Sequence, residues 1–306
     1  MFGRMKELRI AGTFTAIVTP FSKDGESLDL AALEVLVEAQ IDGGVSGLVP
    51  CGTTGESPTL SEEEQLVVIR TTVAVARGRV PVIAGTGSFS TKKTVAASRA
   101  AMDAGADGVM IVMPYYNKPS QDGLREHVLA AARGVPDAPI ILYNIPGRSV
   151  VDLAADTTAR ICEEAPNVVA VKDATGNVQR CQELKRKLGE RLTVMSGDDG
   201  LTLAMMSTGA AGVISVTSNV RPRETSQVTS LIAAGEWAKA RELHFRLLDL
   251  HGLLFLEPNP APAKAALAHA GMMSAAVRLP LVAATEGVRQ KVLLALEQLD
   301  RPSAPR

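Results

Sequence analysis

The sequence predicts an α/β fold, a (β/α)8 TIM barrel with a C-terminal helical extension. Short β-type runs alternate with longer amphipathic runs, and their spacing is close to the roughly 30 residues of a βαβ unit. Eight such units fit within residues 1–234, as a closed barrel of this type requires. A doubly wound open sheet is the alternative. It is disfavoured because no Gly-rich dinucleotide fingerprint follows the first strand.

Eight short apolar runs, rich in β-branched residues and bounded by turn residues, predict the strands. They are centred near Ala16, Leu48, Ile83, Ile111, Leu142, Val169, Thr193 and Val213. Helical periodicity between them is clearest at 30–41, 62–76, 94–104 and 178–188. Ser61 and Glu64 match a capping box, which predicts that the second of these helices begins there.

The pattern changes after about Ala234, because no strand-like run remains. The elements predicted there are helices at 236–254, 261–270 and 283–299, with a break at the Glu-Pro-Asn-Pro segment 257–260. We therefore expect two units, a catalytic barrel over 1–234 and a C-terminal helical domain over 235–306.

Composition excludes several classes of protein. Hydrophobic residues make up 46% of the 306 residues and aromatic residues only 3%, which predicts a large aliphatic core. The net charge of −1, without a basic block, argues against a nucleic-acid partner. No stretch approaches the roughly 20 apolar residues of a membrane span. The segment from Met1 to Ile10 lacks the apolar region of a secretory signal, so a cytoplasmic location is expected.

The cysteines and histidines show no metal-binding or disulfide pattern. Cys51, Cys162 and Cys181 are odd in number and widely spaced, which predicts a reducing compartment. The four histidines have none of the spacings typical of metal ligands. Neither a metal nor an organic cofactor is therefore expected.

Lys172 is the residue that most strongly indicates chemistry. It follows the apolar run 168–171, at the end of a predicted strand, where the active sites of such barrels lie. Partial desolvation at that position disfavours the ammonium form and favours a free amine. A free amine attacks ketones and forms a Schiff base. The alternative, common for any single lysine, is a packed stem with its head in water.

Other predicted strand ends carry side chains that suit a small keto acid. Tyr115, Tyr116 and Tyr143 all lie at strand ends, and a tyrosine can shuttle protons beside an imine. A half-buried ring with a wet hydroxyl is the alternative for each of them. Thr53 and Thr54, between glycines, offer hydroxyl and N–H groups to a small carboxylate.

Two further strand ends carry charged side chains. Arg148 follows a Pro-Gly turn and suits a two-pronged grip on a carboxylate, although most surface arginines are simply solvated. Asp198 and Asp199 follow the seventh strand, near the place where many barrels bind phosphate. Two carboxylates there would repel a phosphate, so an unphosphorylated substrate is expected.

Five segments, in the family's order, resemble the dihydrodipicolinate synthase family, which belongs to the pyruvate-dependent class I aldolases and lyases. They are GTTGES at 52–57, PYYNKP at 114–119, YNIPGR at 143–148, KDATGN at 172–177 and GVISV at 212–216. The likeness runs from about Gly12 into the C-terminal helices and includes the segment 257–260.

The resemblance implies a lyase of lysine and diaminopimelate biosynthesis. Such an enzyme condenses pyruvate, held as a Schiff base on Lys172, with L-aspartate 4-semialdehyde. By the family's pattern, Tyr143, Thr53 and Tyr116 form a proton relay, with Tyr116 supplied by a neighbouring subunit.

The same pattern implies how the two substrates are bound. Thr53 and Thr54 hold the carboxylate of pyruvate, Arg148 holds that of the semialdehyde, and the backbone of Gly197 and Ile214 lines the pocket. Members of the family are usually homotetramers built from tight dimers. The expected partners are therefore two small substrates and further copies of the chain.

Two other functions are weighed against this one. A related lyase or aldolase for N-acetylneuraminate or a deoxy sugar acid would keep Lys172, but those branches lack an arginine matching Arg148. A non-catalytic binding homologue would have no need of an activated amine beside Tyr143. A metal-dependent aldolase lacks its ligands.

Feedback inhibition by lysine is common in the family, and the resemblance locates the residues involved. Ser57 and Tyr115 match that site. The other positions depart from it, with Pro58, Glu62, Gln65, Phe89 and Lys93. Because Lys93 places a cation where an acidic group would hold the effector's amine, we expect weak or absent inhibition.

Overall fold

Eight parallel strands form a barrel at the centre of the protein, in a computed structural model that describes residues 8–301. The strands are β1 (Gly12–Ala16), β2 (Gly47–Val49), β3 (Ile83–Gly85), β4 (Gly108–Val112), β5 (Ile140–Asn144), β6 (Val168–Asp173), β7 (Thr193–Ser196) and β8 (Gly212–Ser215). They pair in the order β2-β1-β8-β7-β6-β5-β4-β3, and a bridge between Leu48 and Val82 closes the ring. The predicted (β/α)8 fold is confirmed.

Helices lie between the strands and continue after the last one. They are α1 (Leu30–Asp42), α2 (Glu62–Ala76), α3 (Thr91–Asp103), α4 (Gln121–Gly134), α5 (Pro146–Ser149), α6 (Ala155–Glu164), α7 (Val178–Leu188), α8 (Thr202–Ser207), α9 (Pro222–Ala233), α10 (Trp237–Leu253), α11 (Ala261–His269) and α12 (Glu286–Asp300). The predicted capping box is present, since the Ser61 hydroxyl accepts from Glu64 N and the Glu64 carboxylate accepts from Ser61 N. Within residues 8–301, no helix is both long and apolar enough to cross a bilayer.

The strands are apolar on both faces because they separate two layers of packing. Along β6, Ala170 belongs to the cluster inside the barrel, whereas Val171 packs outward against the helices. Side chains alternate along a strand, so Lys172 faces inward like Ala170, and Asp173 faces outward like Val171. The same alternation on β5 directs Tyr143 inward.

The predicted C-terminal helices are present and pack on the barrel. Leu250, Ala263 and Val292, from α10, α11 and α12, share a buried cluster with Val216, just after β8. The division into 1–234 and 235–306 stays a prediction. Helices α9 and α10 pack against each other across that boundary. Residues 1–7 and 302–306, which include most of the N-terminal segment considered above, lie outside the described range.

A fully buried ion pair fastens this helical region to the loop after β2. The Lys264 ammonium lies 2.5 Å from Glu56 Oε1, and both side chains have no exposed area. Nζ of Lys264 also donates to the carbonyl of Ala276 over 2.9 Å, and the amide of Arg278 donates to Glu56 Oε2 over 3.0 Å. The two contacts of the Glu56 carboxylate, with Lys264 and with Arg278, therefore join the loop after β2 to chain more than 200 positions away.

Candidate active site

The C-terminal ends of β5 and β6 bring Lys172 and Tyr143 together, as the sequence predicts. The two residues are direct neighbours in the β5–β6 register, and both are only 4% exposed. Nζ of Lys172 lies 4.3 Å from the centroid of the Tyr143 ring. Among residues 8–301, no carboxylate forms a salt bridge with this amine. A buried amine next to a phenol is therefore available to a ligand entering the barrel mouth.

Thr53 and Thr54 lie in the turn between β2 and α2. Thr54 is 3% exposed, and its Oγ1 accepts a hydrogen bond from Asn259 Nδ2 over 2.9 Å. Because the Thr54 hydroxyl accepts in this bond, its own proton can be donated to a different acceptor. Sequence reasoning assigns no role to Asn259, which appears only within the segment 257–260. No local pattern signals a contact across 205 positions.

Cys51 opens the same turn in the left-handed conformation, with φ of 56°. Its thiol points away from the barrel mouth, since Sγ donates to the carbonyl of Gln65 on α2 over 3.6 Å. Burial raises the pKa of this thiol to about 12. The turn therefore presents threonine hydroxyls, and not the thiol, to a ligand.

Gly197 and Ile214 lie at the ends of β7 and β8. The amide of Gly197 donates to the carbonyl of Asp173 over 2.6 Å. A Cβ on Gly197 would lie 2.6 Å from Cβ of Ala174, so only glycine allows this close approach beside the lysine strand. Ile214 belongs to the apolar cluster inside the barrel, together with Tyr143. Both residues therefore lie at the same end of the barrel as Lys172.

Tyr116 differs from the other two tyrosines in its exposure. Its side chain is 90% exposed, and its φ of 73° is in the left-handed region, which non-glycine residues adopt rarely. Tyr115, in contrast, packs edge to face against Phe89, with ring centroids 5.4 Å apart. Within one chain, the structure brings Tyr143, but not Tyr116, to the lysine.

Arg148 lies on α5, the single helical turn after β5, and it is exposed. Among the residues that the structure describes, its guanidinium has no hydrogen bond or salt bridge. The side chain is therefore free to bind an anion. Its position depends entirely on how the short turn is held.

The two acidic residues after β7 have different environments. Asp199 is buried, and its carboxylate accepts from the Ser215 hydroxyl and from the amides of Val216 and Thr217. Asp198 is exposed and caps Gly200 N over 2.9 Å. The Asp199 oxygens are therefore engaged in holding the loop after β8, and only Asp198 is exposed.

The residues compared with the lysine-inhibition site line one cavity of about 690 Å³ beside α2 and α3. They are Ser57, Pro58, Glu62, Gln65, Phe89, Lys93 and Tyr115. Nζ of Lys93 is 3.9 Å from the Glu62 carboxylate, and both side chains are well exposed. The side-chain Nε2 of Gln65 donates to the carbonyl of Ser57 over 3.1 Å. The cavity is therefore lined by two cations, Lys92 and Lys93, and by one anion, Glu62, which faces Lys93.

Comparison with known proteins identifies close relatives. The profile of the Dihydrodipicolinate synthetase family matches residues 9–299. A 4-hydroxy-tetrahydrodipicolinate synthase from Sorangium cellulosum (strain So ce56) is 72% identical over 296 residues, which are 97% of this chain and 98% of the relative. The chloride-inhibited dihydrodipicolinate synthase from Acinetobacter baumannii, solved with pyruvate, has a TM-score of 0.92 at 44% identity, covering 95% of this chain and 99% of that one. The lysine-bound enzyme from Cyanidioschyzon merolae has a TM-score of 0.92 at 37% identity, covering 94% and 98%.

Proposed function

The chain belongs to the dihydrodipicolinate synthetase family, and we propose that it is a lyase that condenses pyruvate with L-aspartate 4-semialdehyde. This is the reaction of a 4-hydroxy-tetrahydrodipicolinate synthase, in lysine and diaminopimelate biosynthesis. The observation that carries the proposal is the buried amine of Lys172, 4.3 Å from the Tyr143 ring at the C-terminal mouth of the barrel.

The first half of the reaction joins pyruvate to the enzyme. The Lys172 amine attacks the ketone carbon, the resulting carbinolamine loses water, and an imine forms. Loss of a proton from the methyl carbon then converts the imine to an enamine. Tyr143 lies beside the nitrogen and is the group that passes these protons, with Thr53 and Tyr116 completing the relay.

The second half joins the two substrates. The enamine carbon attacks the aldehyde carbon, whose oxygen takes up a proton. The amine of the semialdehyde then attacks the imine carbon, closes the ring and releases Lys172. Thr53 and Thr54 hold the pyruvate carboxylate, Arg148 holds the semialdehyde carboxylate, and the backbone of Gly197 and Ile214 lines the pocket. No step needs a cofactor.

The site proposed here needs a second copy of the chain. Tyr116 is 90% exposed on its own barrel, which suits a side chain that enters a neighbouring subunit's pocket. We assign the protein to a homotetramer built from tight dimers, located in the cytoplasm. Its other partners are the two small substrates.

A steady-state assay tests the reaction directly. With pyruvate and L-aspartate 4-semialdehyde, the purified protein should form the cyclic product at a rate that saturates in both substrates. N-acetylneuraminate and deoxy sugar acids, tested with the same preparation, should not be cleaved. Turnover of either of these, with none of the semialdehyde, would replace the proposed function with that of a related lyase.

Lysine should inhibit this activity weakly or not at all. The cavity beside α2 and α3 offers Lys93 where the effector's amine would need an acidic partner, and like charges repel. Initial rates measured over a lysine series will check this. A matched Lys93→Glu variant supplies the missing carboxylate and should be at least as sensitive as the wild type. Strong inhibition of the wild type by sub-millimolar lysine would contradict the prediction.

A further inference from the structure

The turn that carries Arg148 is too short to be stable as an isolated helix. Helix α5 has four residues, whereas isolated helices shorter than about 12 residues are marginal in water. Val150, which ends it, has φ of 66°, a region that is unfavourable for a β-branched residue. Because the Val150 side chain is 61% exposed, its own packing does not impose this conformation. Within the turn, the buried Ser149 hydroxyl lies 3.0 Å from the carbonyl of Ile145 and 2.9 Å from that of Val151. The remaining support must come from the chain on either side.

Asp152, four positions after Arg148, is gripped by Arg180. One guanidinium nitrogen of Arg180 lies 2.8 Å from Asp152 Oδ2, and another lies 3.1 Å from Oδ1 and 2.7 Å from the carbonyl of Leu153. Such two-pronged pairs fix orientation as well as distance. The Arg180 side chain is only 14% exposed and that of Asp152 is 45% exposed, so solvent reaches this pair mainly from the Asp152 side.

Asn144 adds a third support to the same segment. Its Nδ2 donates to Asp152 Oδ1 over 2.7 Å, and its Oδ1 accepts from the amide of Leu153 over 3.0 Å. Burial alone would raise the pKa of Asp152, but the hydrogen bonds from Arg180 and Asn144 outweigh it and lower that pKa. The carboxylate is thus held in its charged form, in which it can accept all of these bonds.

The supports begin on the two strands that form the Lys172–Tyr143 pair. Asn144 directly follows Tyr143 on β5 and pairs in register with Asp173, which directly follows Lys172 on β6. Arg180 lies in the first turn of α7, the helix after β6. These outward-facing groups do not enter the barrel interior, yet they tie the Arg148 turn to both strands.

We infer that the Asp152–Arg180 ion pair is a positioning clamp that sets Arg148, and with it the carboxylate of the second substrate, relative to Lys172. This rests on the proposed function, because it takes Arg148 as the group that binds that carboxylate. Arg180 and Asp152 touch neither substrate and act through Arg148. Loosening the clamp therefore affects recognition of the semialdehyde and leaves the pyruvate half-reaction intact.

The test is a set of kinetic measurements on Arg180→Ala, Arg148→Ala and the double variant. Arg180→Ala should lower kcat/KM for the semialdehyde by about 10- to 100-fold, the effect of misplacing a binding group by about 1 Å. The KM for pyruvate and the borohydride trapping of pyruvate should stay at wild-type values. Adding Arg180→Ala to Arg148→Ala should cause no further loss, since the two residues act as one unit.

Two more variants separate positioning from general stability. Arg180→Lys keeps the positive charge but cannot make the two-pronged contact of a guanidinium. Its kcat/KM for the semialdehyde should therefore lie between those of the wild type and Arg180→Ala. Arg125→Ala removes another two-pronged pair, to Glu164 between α4 and α6, and should leave kcat/KM for the semialdehyde unchanged. If Arg180→Ala does not fold, Asp152→Asn, of the same shape, should show the same selective loss.

Several outcomes would overturn the clamp. Losses that multiply in the double variant would show that Arg180 acts independently of Arg148. A rise in the KM for pyruvate together with weaker trapping would show a general disturbance of the barrel mouth. Wild-type kcat/KM for the semialdehyde in Asp152→Asn would show that the pair is dispensable. A wild-type protein that traps pyruvate but never condenses it with the semialdehyde would instead refute the proposed function.

Discussion

Replacing Lys172 with alanine is expected to abolish the trapping of pyruvate by borohydride and to lower kcat by at least about four orders of magnitude. The methyl group of alanine cannot form an imine, and every later step of the proposed reaction depends on that bond. Mass spectrometry of the borohydride-treated protein should locate a single reduced pyruvyl adduct on Lys172 in the wild type. The variant should carry none.

Lys23 provides the control, because it is exposed in the loop after β1, at the same end of the barrel. Lys23→Ala should keep both the adduct and the turnover. Trapping at any lysine other than Lys172, or substantial turnover by Lys172→Ala, would remove the lysine from the centre of the mechanism.

Replacing Lys264 with methionine is expected to lower the free energy of unfolding at neutral pH by about 3 to 5 kcal/mol. Methionine fills similar volume but leaves Glu56 as a buried charge without its partner, which costs more than the pair itself contributes. Urea denaturation followed by circular dichroism measures the difference. In the double variant Glu56→Gln with Lys264→Met the buried charge is gone, while glutamine still accepts from Arg278 N. The double variant should be more stable than Lys264→Met, and an equal or greater loss would contradict this account.

The pH dependence of the same pair has a definite sign. Desolvation, partly offset by Glu56, lowers the pKa of Lys264 from 10.5 to about 8 in the folded protein. Between those values the unfolded chain holds the proton and the folded chain does not, so the stability contributed by this group rises with pH. The gap in stability between wild type and Lys264→Met should therefore widen as the pH rises from 8 toward 10.5. A gap that narrows would reverse the assignment.

Local patterns in the sequence predicted the barrel well. Neighbours in sequence determine the strand runs, the capping box of α2, and the positions of Lys172 and Tyr143 at strand ends. The alternation of side chains along a strand then determines that Lys172 and Tyr143 face the barrel interior. The spacing between the strand runs predicted a parallel barrel, because it leaves room for the crossover helix that each pair of parallel strands needs. These features depend on residues that are close to each other along the chain.

The supports around the site were not predictable in the same way. Asn259 reaches Thr54, and Lys264 reaches Glu56, across more than 200 positions. The role of Asp199 in holding the loop after β8 was not predicted, because the groups that donate to its carboxylate lie 16 to 18 positions later. Such contacts depend on how distant segments pack, which single-residue properties and periodicity do not encode. The roles of the site residues stay predictions that the kinetic variants will test.

The orientation of Cys51 bears on which nucleophile meets the keto acid. A thiolate beside an activated ketone would add to it and divert it into a hemithioketal, a dead end for carbon–carbon bond formation. With the thiol turned toward α2 and its pKa at about 12, almost none of it ionises at neutral pH. The turn that we propose to bind the substrate therefore presents no reactive thiolate from Cys51 to compete with the Lys172 amine.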